Sequence, residues 1–194
     1  YVARVRHGSK LLSREERRKY YKRGRIRLSP KRYRVVDTLF DLPEGSLYAE
    51  LVCLKDSHPK LLKVSFRVLF DDIRNAIDTI HRDGSLKSKI VADIPKYFNR
   101  DNLLSKTLDK FSSAGKKLFL LTNSDYKYTS AVMSYILNSK EKKWEQYFDL
   151  VVCSACKPQF FLQNGKGTKI RSSNCNCFNG GDAFFLESKL SALG

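Results

Sequence analysis

No stretch of the 194-residue chain approaches the ~18 consecutive apolar residues that a membrane span requires, so no membrane-crossing helix is expected. No charged start, apolar run and small-residue cleavage site opens the chain, and it begins at Tyr1 rather than at methionine. The expectation is a soluble, cytoplasmic protein, present as a fragment or processed piece. No internal repeat is visible, which sets aside a repeat architecture. With nothing to suggest export, the five cysteines are not read as a disulfide framework. Their number is odd. Cys153-x-x-Cys156 has the spacing of a zinc knuckle, whereas Cys175-x-Cys177 does not, so a four-thiolate zinc site is only half spelled out.

Acidic residues are scarce in one region. Residues 1–34 hold 14 Lys and Arg against two acids, while the remaining 160 residues hold 23 against 18. The net charge of +17 is therefore concentrated in an amino-terminal arm. Such an arm can hold phosphates, nucleic acid or acidic lipid. Its tyrosines (Tyr20, Tyr21, Tyr33) would suit RNA, but the preferred reading is a solvated helix with its cations outward. The 42% apolar content is ordinary for a chain that buries a core.

The spacing predicts a helix over 13–23, started by Ser13 with Glu15 and Glu16 in its first turn. Residues 33–40 read as extended, and Leu42-Pro43-Glu44-Gly45 opens a helix carrying Leu47, Leu51 and Leu54. The clearest helix is 65–82, where Phe66, Leu69, Phe70, Ile73, Ile77 and Ile80 recur at helical spacing. On another face of it stand Arg74, Asp78 and His81, and Asp83-Gly84 ends it. A further helix spans 102–114, with Leu104, Leu108 and Phe111 inward. An apolar strand follows at 118–121, then a helix with Val132, Tyr135 and Ile136 buried, then a second strand at 150–153. This alternation argues for a parallel sheet in an α/β fold. Residues 163–181 read as irregular or hairpin structure, and 182–193 as a closing helix. Three segments are expected: a basic arm (1–34), a mainly helical region (35–100) and an α/β core (101–194).

In an open parallel sheet, ligands sit beyond the carboxyl ends of the strands. Thr122 and Asn123 fall at such an end, where a hydroxyl, an amide and the free N–H groups of the next helix can cradle an anion. Lys157 follows the second strand and supplies the positive charge that a transferring phosphoryl group requires. Read alone, Thr122-Asn123-Ser124-Asp125 could also be an ordinary capping turn, Lys157 a surface lysine, and Arg74/Asp78/His81 a salt-bridged solvent face.

Longer motifs decide between these readings. Leu121-Thr122-Asn123-Ser124-Asp125-Tyr126-Lys127-Tyr128-Thr129 resembles the second motif of the cytosolic purine 5'-nucleotidase family of the haloacid dehalogenase superfamily. Trp144-x-x-Tyr147-Phe148-Asp149-Leu150 with Lys157-Pro158-x-Phe160-Phe161 resembles its third. Thr38-Leu39-Phe40-x-Leu42-Pro43-Glu44, Phe70-x-x-Ile73-Arg74-x-Ala76-Ile77-Asp78-x-x-His81 and Gly84-Ser85-Leu86-Lys87 resemble its cap. The resemblance implies an incomplete Rossmann-like core with a helical cap. It also implies transfer of phosphate from a purine nucleoside monophosphate, of the inosine or guanosine type, to an aspartate and then to water, with Mg²⁺. Thr122 and Asn123 would hold the phosphate and Lys157 would neutralise the aspartyl-phosphate. Arg74, Asp78, His81, Lys87 and Ser124 would bind substrate. A homo-oligomer would fit as well.

The family's Asp-x-Asp-x-Thr nucleophile and its last acidic motif are not found. Asp37 and Asp41 have the wrong spacing, Asp71-Asp72 lies inside a helix, and Asp182 and Glu187 come too early. No Mg²⁺ site can then be assembled from this chain, so no metal ligand is assigned. Ser154 and Cys156 also stand where the family has Asp and Arg. The alternatives are an inactive nucleotide-binding or scaffold relative, and a basic zinc- or RNA-binding module.

Overall fold

The computed structural model describes residues 2–26, 29, 33–36, 38–170 and 175–194. The chain divides into two compact units, Tyr1–Gly84 and Ser85–Gly194.

The first unit opens with a two-stranded antiparallel hairpin, β1 (Arg6–His7) and β2 (Lys10–Leu11). Its turn residue Gly8 has φ +59°, and a Cβ there would fall 2.5 Å from Cys53 Sγ, so glycine is needed for both conformation and space. Helix α1 (Arg14–Tyr20) carries a full capping box between Ser13 and Glu16 and stops short of the expected Arg23. Lys10 donates to Glu16 at 2.7 Å, and that bond holds the Glu16 carboxyl down at about 2. Residues 33–36 form no regular element, Asp37 lies outside the described residues, and a 3-10 turn at Leu39–Asp41 replaces the end of the expected extended segment. Helix α2 (Leu42–Ser57) takes Pro43 in its first turn, where a missing N–H costs nothing. Helix α3 (Phe66–Arg82) starts where Ser65 Oγ accepts from the Val68 amide. α2 and α3 pack together and bury Val52, Leu69 and Ile73. Phe66 and Ile80, expected inward, are 37% and 40% exposed, so the apolar stripe of α3 is only half used within this unit.

The second unit runs α4 (Ser85–Ala92), α5 (Ile94–Tyr97), α6 (Leu104–Ser113), β3 (Phe119–Leu121), α7 (Tyr126–Leu137), β4 (Leu150–Cys153), β5 (Gly167–Lys169), β6 (Cys177–Gly180) and α8 (Ala183–Ser191). The sheet order is β3-β4-β6-β5. β3, β4 and β6 are parallel, with Leu120 beside Val151 and Val152 beside Phe178, and β5 closes one edge antiparallel. The expected parallel pair is thus present within a mixed sheet. Every residue of β4 is fully buried because both faces are covered, as its unbroken apolar run requires. Val151 and Cys153 face Leu137, Trp144 and Tyr147, with Leu104 and Leu108 of α6 alongside. Leu150 and Val152 face Phe160 and Phe178, with Phe185 and Leu190 of α8 alongside. The result is an α/β sandwich of helix, sheet and helix. Phe111 of α6 was expected inward but is 49% exposed.

α8 begins at the buried Asp182, whose two carboxylate oxygens accept from the Phe185 amide (2.6 Å) and the Gly165 amide (2.8 Å). The Phe185 amide, then the Gly165 amide, hold this carboxyl below its usual range. Asp182 therefore serves as a structural cap. No helix among the described residues is long and apolar enough to cross a membrane.

Candidate active site

The loops after β3 and β4 lie side by side because their strands are hydrogen-bonded neighbours. Four bonds knit them together. Ala155 N donates to Thr122 O at 3.0 Å, and Ser154 N to Ser124 O at 2.8 Å. Lys157 N donates to Asn123 Oδ1 at 2.7 Å, and Asn123 Nδ2 donates back to Lys157 O at 3.0 Å. The Asn123 amide is thus a lock between the two loops, with one N–H left over. Lys157 Nζ donates to Leu121 O at 3.0 Å, which sets the half-buried ammonium at the carboxyl end of β3 with two further protons to offer. Thr122 Oγ1 accepts from the Ser124 amide at 3.1 Å and keeps its own proton for an anion. Ser154 and Cys156 have φ of +50° and +58°, conformations that bulky side chains rarely adopt. The tight loop after β4 is what brings Lys157 back toward β3.

The helix N-terminus that follows is partly taken: Asp125 caps α7, accepting from the Tyr128 amide at 2.8 Å, so that amide already faces a carboxylate. Lys87 of α4 pairs with Asp125 at 3.0 Å and lies 5.5 Å from the Tyr128 ring centroid. Donors left over on the two loops are the Thr122 hydroxyl, one Asn123 N–H and the Lys157 ammonium, with Ser124 supplying main-chain support and Lys87 balancing the cap. Burial pushes the Asp125 carboxyl up, but the Tyr128 amide and Lys87 outweigh it and leave it below its usual range. A carboxyl lowered by folding lends stability that is full above its unfolded value and is lost as pH falls through its folded one. The protection of the Tyr128 amide against hydrogen exchange, taken relative to its intrinsic rate at each pH, is expected to fall on acidification below about pH 4 in the intact chain, and already at neutral pH in Asp125→Ala. Protection indifferent to both changes would contradict this.

In the first unit, Arg74 donates to Glu44 Oε2 at 2.6 Å and to Asp78 at 3.3 Å. The bond to Glu44, opposed by desolvation, raises the guanidinium above its ordinary range. His81 lies one helical turn further on, with its ring centroid 5.2 Å from that of Phe40. Arg74, Asp78 and His81 thus form one stripe as expected. Phe40 and Glu44 join it across the unit, partners that spacing within a single helix could not reveal. Both stand in the Leu39-Phe40-x-Leu42-Pro43-Glu44 stretch, which was legible as a motif but not as a contact.

Among the described residues, no group of three or more His, Cys, Asp and Glu is placed to hold a metal ion. Asp41 pairs with Arg34 and Asp71 with Arg67, and Asp182 is committed to α8. The described residues therefore do not fit a Mg²⁺ site. Nor do the four late cysteines assemble a zinc site. Cys175 and Cys177 are joined as a disulfide, Cys156 is exposed, and Cys153 is buried in β4, where burial pushes its thiol up and disfavours the thiolate that zinc needs.

The fold is α/β, with hydroxyl, amide and ammonium donors gathered on two neighbouring strand-end loops. A model of the 5' nucleotidase family matches residues 1–177. A 5'-nucleotidase domain-containing protein of Dictyostelium discoideum is 38% identical over 137 residues, which is 69% of this chain and 22% of that relative. The chain belongs to the 5'-nucleotidase family, and it spans about a fifth of the length of this curated relative.

Proposed function

We propose that this chain is the phosphate-holding and base-reading part of a hydrolase of purine nucleoside 5'-monophosphates, of the inosine or guanosine type, built on a haloacid dehalogenase core. The observation that carries this reading is the reciprocal Asn123–Lys157 lock. It sets the Thr122 hydroxyl and the Lys157 ammonium on one pair of strand-end loops in a 5'-nucleotidase family chain. Thr122 and the spare Asn123 N–H donate to phosphate oxygens, and Lys157 neutralises charge that builds as phosphorus–oxygen bonds rearrange. Arg74 and Asp78 offer a donor fork and an acceptor to a purine edge, and the Phe40–His81 pair offers a ring face. The attacking carboxylate and the ligands for Mg²⁺ come from the rest of a longer protein.

Release of inorganic phosphate by the full-length protein, supplied with Mg²⁺ and inosine or guanosine monophosphate, tests the reading. Steady release that is lost without the metal is expected. That no metal-competent cluster stands among the described residues favours a second reading, a nucleotide-binding relative without turnover. Metal-independent binding without release would select it, and no binding of any nucleotide would sink both.

A further inference from the structure

Helix α1 was expected to reach Arg23 as a solvated helix, but it ends at Tyr20 and the chain turns. Tyr21 N donates to Arg17 O and Gly24 N to Tyr21 O, both at 2.9 Å, and Val2 N donates to Gly24 O at 2.7 Å. The turn is thus pinned at Gly24, whose φ of +60° suits glycine. A cleft of about 630 Å³ lies beside it in the first unit. Lys19, Lys22, Arg23 and Arg25 line the cleft, and Tyr20, Tyr21 and Tyr33 set phenol rings among these cations. Residues 17–36 hold ten Lys and Arg and no Asp or Glu. The arm's two acids, Glu15 and Glu16, precede this stretch, and Glu16 is taken by Lys10 at 2.7 Å. Among the described residues, Lys19, Lys22 and Arg23 form no salt bridge. A recess lined by one sign of charge concentrates its field and draws in a polyanion. Tyr20 is 75% exposed, so its ring is open to stacking. A free phosphate would use the cations and leave the rings idle, and a bilayer surface meets protruding residues rather than a recess. A nucleic acid strand uses both, its phosphates following the cations and its unpaired bases lying on the rings.

We propose that this cleft binds single-stranded nucleic acid, with backbone phosphates on its Lys and Arg side chains and a base stacked on Tyr20. It shares no residue with the strand-end loops or with the Arg74 stripe. Binding here is therefore a function separate from phosphate transfer and stands or falls without it.

The probe is a labelled RNA oligouridylate of about twelve nucleotides with a 5'-hydroxyl end. It carries no purine for the Arg74 stripe and no terminal phosphate for the strand-end loops. Fluorescence anisotropy with the 194-residue chain is expected to show saturable binding in 50 mM salt. Each phosphate held on a single strand contributes a slope of about −0.7 to log K against log salt. The four cations of the cleft then predict a slope near −3, or about 50-fold weaker binding at 200 mM than at 50 mM. Tyr20→Ala should bind the strand at least about fivefold more weakly with its salt slope kept, and should bind inorganic polyphosphate as the parent does. Lys22→Glu with Arg23→Glu should roughly halve the slope. These side chains are exposed, so both variants should keep the helical circular dichroism of the parent. Three results would each overturn the proposal: no binding of the strand by the parent chain up to about 1 mM, unchanged affinity in Tyr20→Ala, or tighter binding to phosphatidylserine vesicles than to the strand, which would mark a membrane-facing surface.

Discussion

Lys157→Ala is expected to lower turnover of a nucleoside monophosphate by the full-length protein about 10²–10³-fold, the usual loss when one preorganised donor is removed from developing charge. The melting temperature should barely move. The Lys157 main chain makes the lock to Asn123, and alanine keeps both of those bonds. Only the ammonium and its bond to Leu121 O are lost. Lys157→Arg should recover part of the rate, since it restores the charge with a planar fork in place of a compact ammonium. Asn123→Ala differs in kind, because it unties the loops that carry both Thr122 and Lys157. Its loss should show in substrate affinity as well as in rate. A Lys157→Ala protein with unchanged turnover would remove the lysine from the mechanism.

Trp144→Ala should be the most destabilising single truncation in the second unit. The indole is 1% exposed, lies in the cluster with Leu137, Tyr147 and Val151, and meets the rings of Tyr126 and Phe148 at 6.2 and 6.4 Å. Its amide also donates to Asn138 Oδ1 at 2.7 Å at the end of α7. Truncating a buried tryptophan costs about 3–5 kcal/mol, a large part of the ~5–15 kcal/mol that holds a typical domain together. Urea unfolding followed by circular dichroism measures it, and a loss below about 1 kcal/mol would contradict the packing described. The site should fail with the fold, because α7 and β4, which flank this side chain, carry the two loops. Trp144→Phe, which keeps a ring in the space, should retain most of the stability.

The parts of the fold that were legible in the sequence are those where local pattern and burial agree. Residues 118–121 and 150–153 read as strands because parallel strands covered on both faces need unbroken apolar runs. The 3.6-residue period of α3 gave its bounds and its polar stripe. β1 and β2 were missed because two-residue strands carry no period, and the turn between them is tied to Cys53 far along the chain, whose Sγ accepts from the Ser9 amide at 3.1 Å. β6 was legible only in part. Residues 163–181 read as irregular or hairpin structure, and β5 and β6 do pair antiparallel, but the pairing with β4 that adds β6 to the parallel strands had no local signal. In the site, Thr122, Asn123 and Lys157 could be placed at strand ends from sequence, since topology alone brings adjacent strand ends together. The lock between Asn123 and the Lys157 main chain could not, because the chain reaches it through positive φ at Ser154 and Cys156, two residues that carry no such signal. The sequence also suggested that the first amides of α7 would face the anion, and Asp125 occupies one of them, that of Tyr128.

The account rests on the cradle holding a phosphate, and amide chemical shifts measured while inorganic phosphate is titrated into the ¹⁵N-labelled chain test this most directly. Saturable shifts centred on Thr122–Ser124 and Ser154–Lys157, weakened in Lys157→Ala, are the predicted result. Shifts confined to the basic residues of 1–34, or none at all at these two loops, would contradict it.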